Sequence, residues 1–287
     1  MMFLFKKKSR SIAIFLFLFF LIFYFFYFLY LPVDKGFTEK VFKIEKGKSP
    51  FQIAENLEKQ GLVKNKFIFT SYLILTGKYN KVQAGYYFLN SSMNIPKIVK
   101  KIVLGETAKI KITIPEGFTI LQIEEKIGLK LPGENLQGFL FPDTYQLAFG
   151  FSGEEMNKKM RDGFEKKLTP DLREKIKKQN KTIFEIITMA SLIEKEVRTF
   201  KDKKMISGIL WKRLKIDMPL QVDVAIETYQ KIGLPENPIC NPGMESILAA
   251  IYPEDNEYWY YLSTFEGETI FSKTLEQHNK AKAKYLK

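Results

Sequence analysis

The chain has one cysteine, Cys240, and one histidine, His278, among 287 residues. A solitary cysteine closes no intrachain disulfide, and the two residues together cannot build a Cys-based or multi-histidine metal centre. No metal site of those kinds is therefore expected, no cofactor is called for, and stability has to come from packing. With Glu276, Gln277 and Asn279 around it, His278 reads as an exposed helical residue, which also argues against a Ser-His-Asp nucleophile. Charge is missing from one long stretch: Ser11 to Val33 contains no Asp, Glu, Lys or Arg.

That stretch, rich in Phe, Leu, Ile and Tyr, follows Lys6, Lys7, Lys8 and Arg10 and ends just before Asp34. A helix needs about 20 apolar residues to cross roughly 30 Å of hydrocarbon, whereas the core of a signal peptide is only about 7–15 residues. The end of the run, Phe26-Tyr27-Phe28-Leu29-Tyr30-Leu31-Pro32, lacks the small residues of a cleavage site. An uncleaved anchor is expected over 11–32, with 1–10 in the cytoplasm by the positive-inside rule and everything after it outside the inner (plasma) membrane, in the periplasm or beyond. This topology puts nucleic acid out of reach. The net charge of +13 then suits anionic lipid headgroups or the carboxylates of peptidoglycan stem peptides, or is simply a solvated surface.

With 46% hydrophobic and 27% charged residues, the remainder can bury one or two domains. Val41 to Ile44 alternates like a strand, Gly47 marks a turn, and Ser49-Pro50 opens a helix with Ile53, Ala54 and Leu57 on one face. The pattern returns with Ile112 and Ile114, then Gly117, Thr119, Ile123 and Ile127. The first of these units resembles the LysM-like module of cell-wall proteins. Further on, 82–89 reads as a strand and Asn94 to Val103 as a helix stopped by Gly105. Met156, Met160, Phe164 and Leu168 recur at helical spacing. A domain boundary near residue 110 is expected, giving 33–109 and 110–287.

Thr182-Ile183-Phe184-Glu185 has the form of a capping box, so a helix starts there. Its first turns are apolar almost all round, as in a buried active-site helix, and Thr188, Ser191, Glu194, Lys195 and Arg198 share one polar arc. Glu196 points about 160° away from Glu194, beside Met189 and Leu192. Two carboxylates so divided do not flank one glycosidic bond as a hydrolase requires. From periodicity alone, Glu194 is either a dehydrated carboxyl suited to proton transfer or half of an exposed ion pair.

Five stretches decide further: Leu136 to Tyr145 (LQGFLFPDTY), Ala190 to Glu196 (ASLIEKE), Leu220-Gln221-Val222-Asp223, Asn241-Pro242-Gly243, and Phe271 to Asn279 (FSKTLEQHN). In this order, behind an apolar N-terminal run, the chain resembles the endolytic murein transglycosylases of the MltG/YceG-like family. The resemblance implies an α+β ectodomain, a LysM-like subdomain and then a catalytic domain, which cuts nascent glycan strands between N-acetylmuramic acid and N-acetylglucosamine. The cut leaves 1,6-anhydro-N-acetylmuramic acid ends and stops strand elongation. It implies Glu194 as catalytic acid and then base, and peptidoglycan synthases and elongation or division proteins as partners. Gln221, Asp223, Asn241 and Tyr145 carry groups suited to sugar hydroxyls and acetamido groups, turn or cap formation being the equal alternative. Ser191, on the polar arc, joins them as a substrate-binding candidate. The chain departs from the family at Gln137, where Glu is usual, and in the short stretch Val224–Ile232. The competing readings are a non-catalytic glycan-binding scaffold and a hydrolytic glycosidase.

Overall fold

In this computed structural model the backbone is described for residues 2–134 and 136–286, and side chains for the same residues except 2–11 and 13. The chain divides into two compact units, 1–110 with 148–150, and 111–147 with 151–287.

The first unit opens with α1 (Met2–Tyr30). Its side chains from Ile14 to Tyr24 are exposed, while Leu29, flanked by Phe25 and Phe28, packs into the unit's core. Among the described residues, no helix is long and apolar enough to cross a membrane. Next come β1 (Glu39–Ile44), α2 (Pro50–Lys59), α3 (Lys66–Leu75), β2 (Gly85–Asn90) and α4 (Ile95–Leu104). β1 and β2 are antiparallel, with Glu39 opposite Asn90 and Ile44 opposite Gly85. The two helices inserted between the strands pack Ile53, Leu57, Phe69 and Leu73 against Phe42 and Leu89. The expected Ser49 cap is present: its hydroxyl accepts from Gln52 N, and the Gln52 side chain returns a bond to Ser49 N. Gly105 ends α4 in the left-handed conformation that a C-cap needs. α3 was not legible, because its sequence KFIFTSYLIL is apolar on too many sides to show a helical stripe.

β3 (Lys109–Thr113) pairs with β4 (Thr144–Ala148), and between them lies α5 (Ile120–Ile127), capped by Thr119 and Gln122. Then follow α6 (Gly153–Lys167), α7 (Pro170–Lys178), α8 (Ile183–Glu196), α9 (Phe200–Lys215), the single turn α10 (Glu227–Gln230), α11 (Met244–Ile251), the hairpin β5 (Tyr260–Ser263) and β6 (Thr269–Ser272), and α12 (Leu275–Tyr285). Small two-stranded sheets among many helices make this a mixed α+β protein, as expected. Met156, Met160, Phe164 and Leu168 are all buried, which is why α6 shows so clear a stripe. The larger core of this unit surrounds α8 with residues of α9, α11 and the 220–225 loop.

Gly208 on α9 shows how tightly the far wall is fitted: a Cβ there would lie 2.0 Å from the Glu254 carbonyl oxygen. Backbone cannot swing aside as a flexible side chain can. Gly208→Ala should therefore lower stability by about 1–3 kcal/mol, read as a fall in the thermal midpoint. An unchanged midpoint would show that the 253–256 loop is not held against α9.

Candidate active site

α8 begins where the capping box placed it. The Thr182 hydroxyl accepts from Glu185 N at 3.1 Å, and Glu185 Oε2 accepts from Thr182 N at 2.7 Å. Every residue from Ile186 to Ile193 is buried, so Thr188 and Ser191 of the polar arc do not face water, while Lys195 and Arg198 do. The helix ends at Glu196 with Val197 as its extended cap, two residues before Arg198. Its last turn carries both glutamates. Two residues apart on a helix means about 200° of rotation, so they leave on opposite sides.

On one side, Glu194 is enclosed, with its side chain only 9% exposed. One carboxyl oxygen accepts from Ser246 Oγ at 2.6 Å and Gly243 N at 2.9 Å; the other meets Lys203 Nζ at 3.5 Å, itself 4% exposed. The ion-pair partner is thus the buried Lys203, so Glu194 is not half of an exposed pair. Glu116 stands close by, its carboxyl raised above the ordinary range by burial and then by the charge of Glu194. This is a buried charge held by a lysine, a hydroxyl and a backbone N–H, the arrangement that makes burying a carboxylate tolerable. It joins α8 to α9 and to the start of α11.

On the other side, Glu196 opens into a cavity of about 380 Å³. Gln221, Asp223, Tyr229, His278 and Asn279 share its lining. Burial pushes the Glu196 carboxyl up to about 7; the Tyr261 hydroxyl works against that shift, and the charge of Asp223 adds to it. That hydroxyl is buried and makes no hydrogen bond of ordinary geometry. Asp223 accepts a hydrogen bond from Tyr229 Oη, which with burial lifts the tyrosine to about 12. Gln221 holds a left-handed backbone, φ 53°, unusual for a residue with a side chain. Arg213 lines the wall with three of its N–H donors committed to the carbonyls of Trp259 at 2.6 and 2.9 Å and Leu220 at 2.7 Å.

The six residues expected at the site therefore separate. Gln221 and Asp223 lie together, but with Glu196 rather than Glu194. Asn241 is wholly buried: Oδ1 accepts from Gly138 N at 2.9 Å and Leu140 N at 3.0 Å, and Nδ2 donates to Phe118 O at 3.0 Å. It pins two loops and has no free face for a sugar. Ser191 is equally buried, donating to Thr188 O at 2.7 Å and accepting from Ile239 N at 3.0 Å. Tyr145 donates to Phe141 O at 2.5 Å and packs in a separate small core with Leu140 and Met160. Gln137, the departure noted above, accepts from Ile120 N at 2.9 Å and donates to Ile239 O at 2.7 Å, a pairing that an ionised Glu could not make.

The sequence reading did not bring Glu196 and His278 to this cavity. His278 is no exposed residue; it is 9% exposed and stacks on Tyr260 at 5.4 Å between ring centroids. The ring faces β5 because α12 packs on the hairpin, a long-range contact invisible in its charged neighbours. For Glu196 there was a signal: a second glutamate, leaving a helix buried on all sides, requires either a partner or a cavity.

The YceG-like family model matches residues 42–227 and 226–284. The chain is 30% identical to an endolytic murein transglycosylase of Bacillus subtilis, over 89% of this chain and 87% of the relative. It is 28% identical to an endolytic murein transglycosylase of Streptococcus pneumoniae, of which it spans 60%. Among solved structures it resembles a putative yceG-like protein of Listeria monocytogenes, with a TM-score of 0.55 and 30% identity, over 85% of this chain and 99% of that one.

A carboxyl whose folded value is about 7 against an ordinary 4.5 binds its proton more tightly in the folded protein. Its contribution to stability is thus full below about pH 4.5 and is lost as pH rises to about 7. Glu196→Gln removes that loss and should raise stability at pH 8 by on the order of 3 kcal/mol, with little gain at pH 4.5. Thermal melts at the two pH values check this; equal gains at both would show that Glu196 is not dehydrated.

Proposed function

The chain belongs to the YceG-like family, and from that premise we propose that it is an endolytic murein transglycosylase, a lyase, with Glu196 as its proton carrier. The observation that supports this most is the Glu196 carboxyl, held near 7 in a polar cavity large enough for a sugar. An acid with a value near neutrality is present in useful amounts both with and without its proton. Protonated Glu196 gives its proton to the oxygen linking N-acetylmuramic acid to the next N-acetylglucosamine, and the C1–oxygen bond breaks. The resulting carboxylate takes the proton from the C6 hydroxyl of the muramic residue while that oxygen bonds to C1. The 1,6-anhydro ring closes, the carboxyl is protonated again, and no water is consumed. Gln221, Asn279 and His278 offer hydrogen bonds to hydroxyl and acetamido groups, and Tyr229 holds Asp223 in place. In this reading Glu194, the acid that the family resemblance pointed to, fixes the end of α8 so that Glu196 faces the cavity.

One observation favours hydrolysis instead: Asp223 lies in the same cavity and is a second carboxylate that could activate water. Mass spectrometry of digested strands separates the readings. Anhydro ends from the wild type, lost by at least about 100-fold in Glu196→Gln, support the lyase. Reducing ends support the hydrolase, and uncut strands a non-catalytic scaffold. If Glu194→Gln, folded normally, abolishes cutting while Glu196→Gln does not, the proton carrier is Glu194.

The pH profile carries a signed test. kcat/KM should fall as pH rises through about 7, since the proton to be donated is lost. Asp223→Asn removes a negative neighbour, so the descending limb should move to lower pH. A shift to higher pH contradicts this electrostatic account.

We also propose that the uncharged run of Ser11–Val33 anchors the chain in the plasma membrane, cytoplasmic end first. The exposed Phe and Leu side chains of α1 would gain from a lipid environment, and the basic residues before them suit the inner surface. Residues 33–109, two helices between antiparallel strands, form the LysM-like subdomain and 110–287 the catalytic domain. Synthases and elongation or division proteins are the partners to be expected beside nascent strands. Sodium carbonate extraction of membranes should leave the chain in the pellet; release into the supernatant would refute the anchor.

A further inference from the structure

A second cavity, of about 660 Å³, involves none of the Glu196 lining residues. Lys181, Phe184, Thr188, Trp211, Lys215 and Leu234 line it. Trp211 is fixed by its indole N–H, which donates to Ala250 O at 3.0 Å, and Lys181 Nζ sits 3.4 Å from the centre of its ring. Burial, and then the Lys215 ammonium, push Lys181 down to about 8. Glu185, which also lines the cavity, is already engaged, accepting from both the backbone N–H and the hydroxyl of Thr182. Glu236 is turned to solvent and paired with Lys231 at 3.4 Å. On the cavity wall Thr188 is wholly buried, and its hydroxyl has no hydrogen-bond partner among the described residues.

We propose that this cavity binds the carboxylate of a short peptide, and that on murein its ligand is a stem peptide; the second clause rests on the function proposed above. Two ammonium groups, Lys181 and Lys215, suit an anion with two acceptor oxygens. The apolar floor of Phe184, Trp211 and Leu234 suits the aliphatic carbons beside a peptide carboxylate. A sugar ring would need a bare aromatic face, and Lys181 covers that of Trp211. Thr188 and Glu196 stand on the same helix, eight residues and so about 12 Å apart along its axis. A peptide branching from a strand cut at Glu196 can therefore reach the second cavity. The enzyme would then hold the strand by its peptide as well as by its sugars, and would cut peptide-bearing strands in preference to denuded ones.

Isothermal titration of the full-length protein in detergent with a free murein stem tetrapeptide tests this. The wild type and Glu196→Gln should bind the peptide equally, and Lys181→Ala/Lys215→Ala should bind it at least about tenfold more weakly. The same peptide with its carboxyls amidated should lose a similar factor. Lys215→Ala, a change at an exposed position, provides a second variant with little risk to folding, and thermal melts confirm that both variants are folded. Equal affinity in wild type and double variant, equal affinity for acid and amide, or complete displacement by an equal concentration of inorganic phosphate would overturn the site. The two proposals fail separately. Uncut strands with this binding pattern would reject the transglycosylase and keep the carboxylate site, whereas cut strands without the pattern would reject only the site.

Discussion

Burying a helix on every side requires each polar group near it to find a partner or a cavity, and α8 imposes that requirement on the whole second unit. From Ile186 to Ile193 nothing on it faces water. Its N-terminus is closed by the Thr182–Glu185 capping box, its middle is tied to the 239–241 loop through Ser191, and its last turn releases two carboxylates in opposite directions. The structure deals with them differently. Glu194 is paired and locked; Glu196 is left facing a cavity with its proton held near neutrality. The helix thus supplies both the rigid support and, in the proposed reaction, the proton carrier.

The lock and the cavity depend on each other. Lys203, Gly243 and Ser246 converge on Glu194 and so join α9 and α11 to the end of α8. α9 in turn carries Arg213, whose bonds to Trp259 and Leu220 set the entry to β5 and the loop bearing Gln221 and Asp223. A carboxylate at the centre of such a network contributes by fixing geometry, since breaking one partner leaves the others buried and unsatisfied. Neutralising Glu194 would disturb the same cavity indirectly, which is why loss of activity alone does not identify a proton carrier.

What could be read from the sequence was local. The caps at Ser49, Thr119 and Thr182 use side chains three residues from their partners, and the turns at Gly47 and Gly117, φ 86° and 76°, need only a residue without Cβ. The stripe of Met156, Met160 and Phe164 is a property of one helix. The site is different. Glu196 meets Gln221 and Asp223 from beyond α9, and His278 and Asn279 from the C-terminal helix, so no window of sequence contains the cavity. A helical wheel gave the correct direction for Glu196, away from Glu194, but it could not show that the apolar side of the last turn ends at an opening. Asn241 and Ser191 carry the right groups in the right motifs, yet their bonds are used within the fold, and only the partners reveal that.

The central claim is that Glu196 holds a displaced proton. The most direct measurement is a carbon-13 NMR titration of the glutamate side-chain carboxyls, with Glu196 assigned by the signal missing from Glu196→Gln. The account predicts a carboxyl that titrates at about 7 and disappears in that variant. A Glu196 signal titrating in the ordinary range near 4.5 would contradict it.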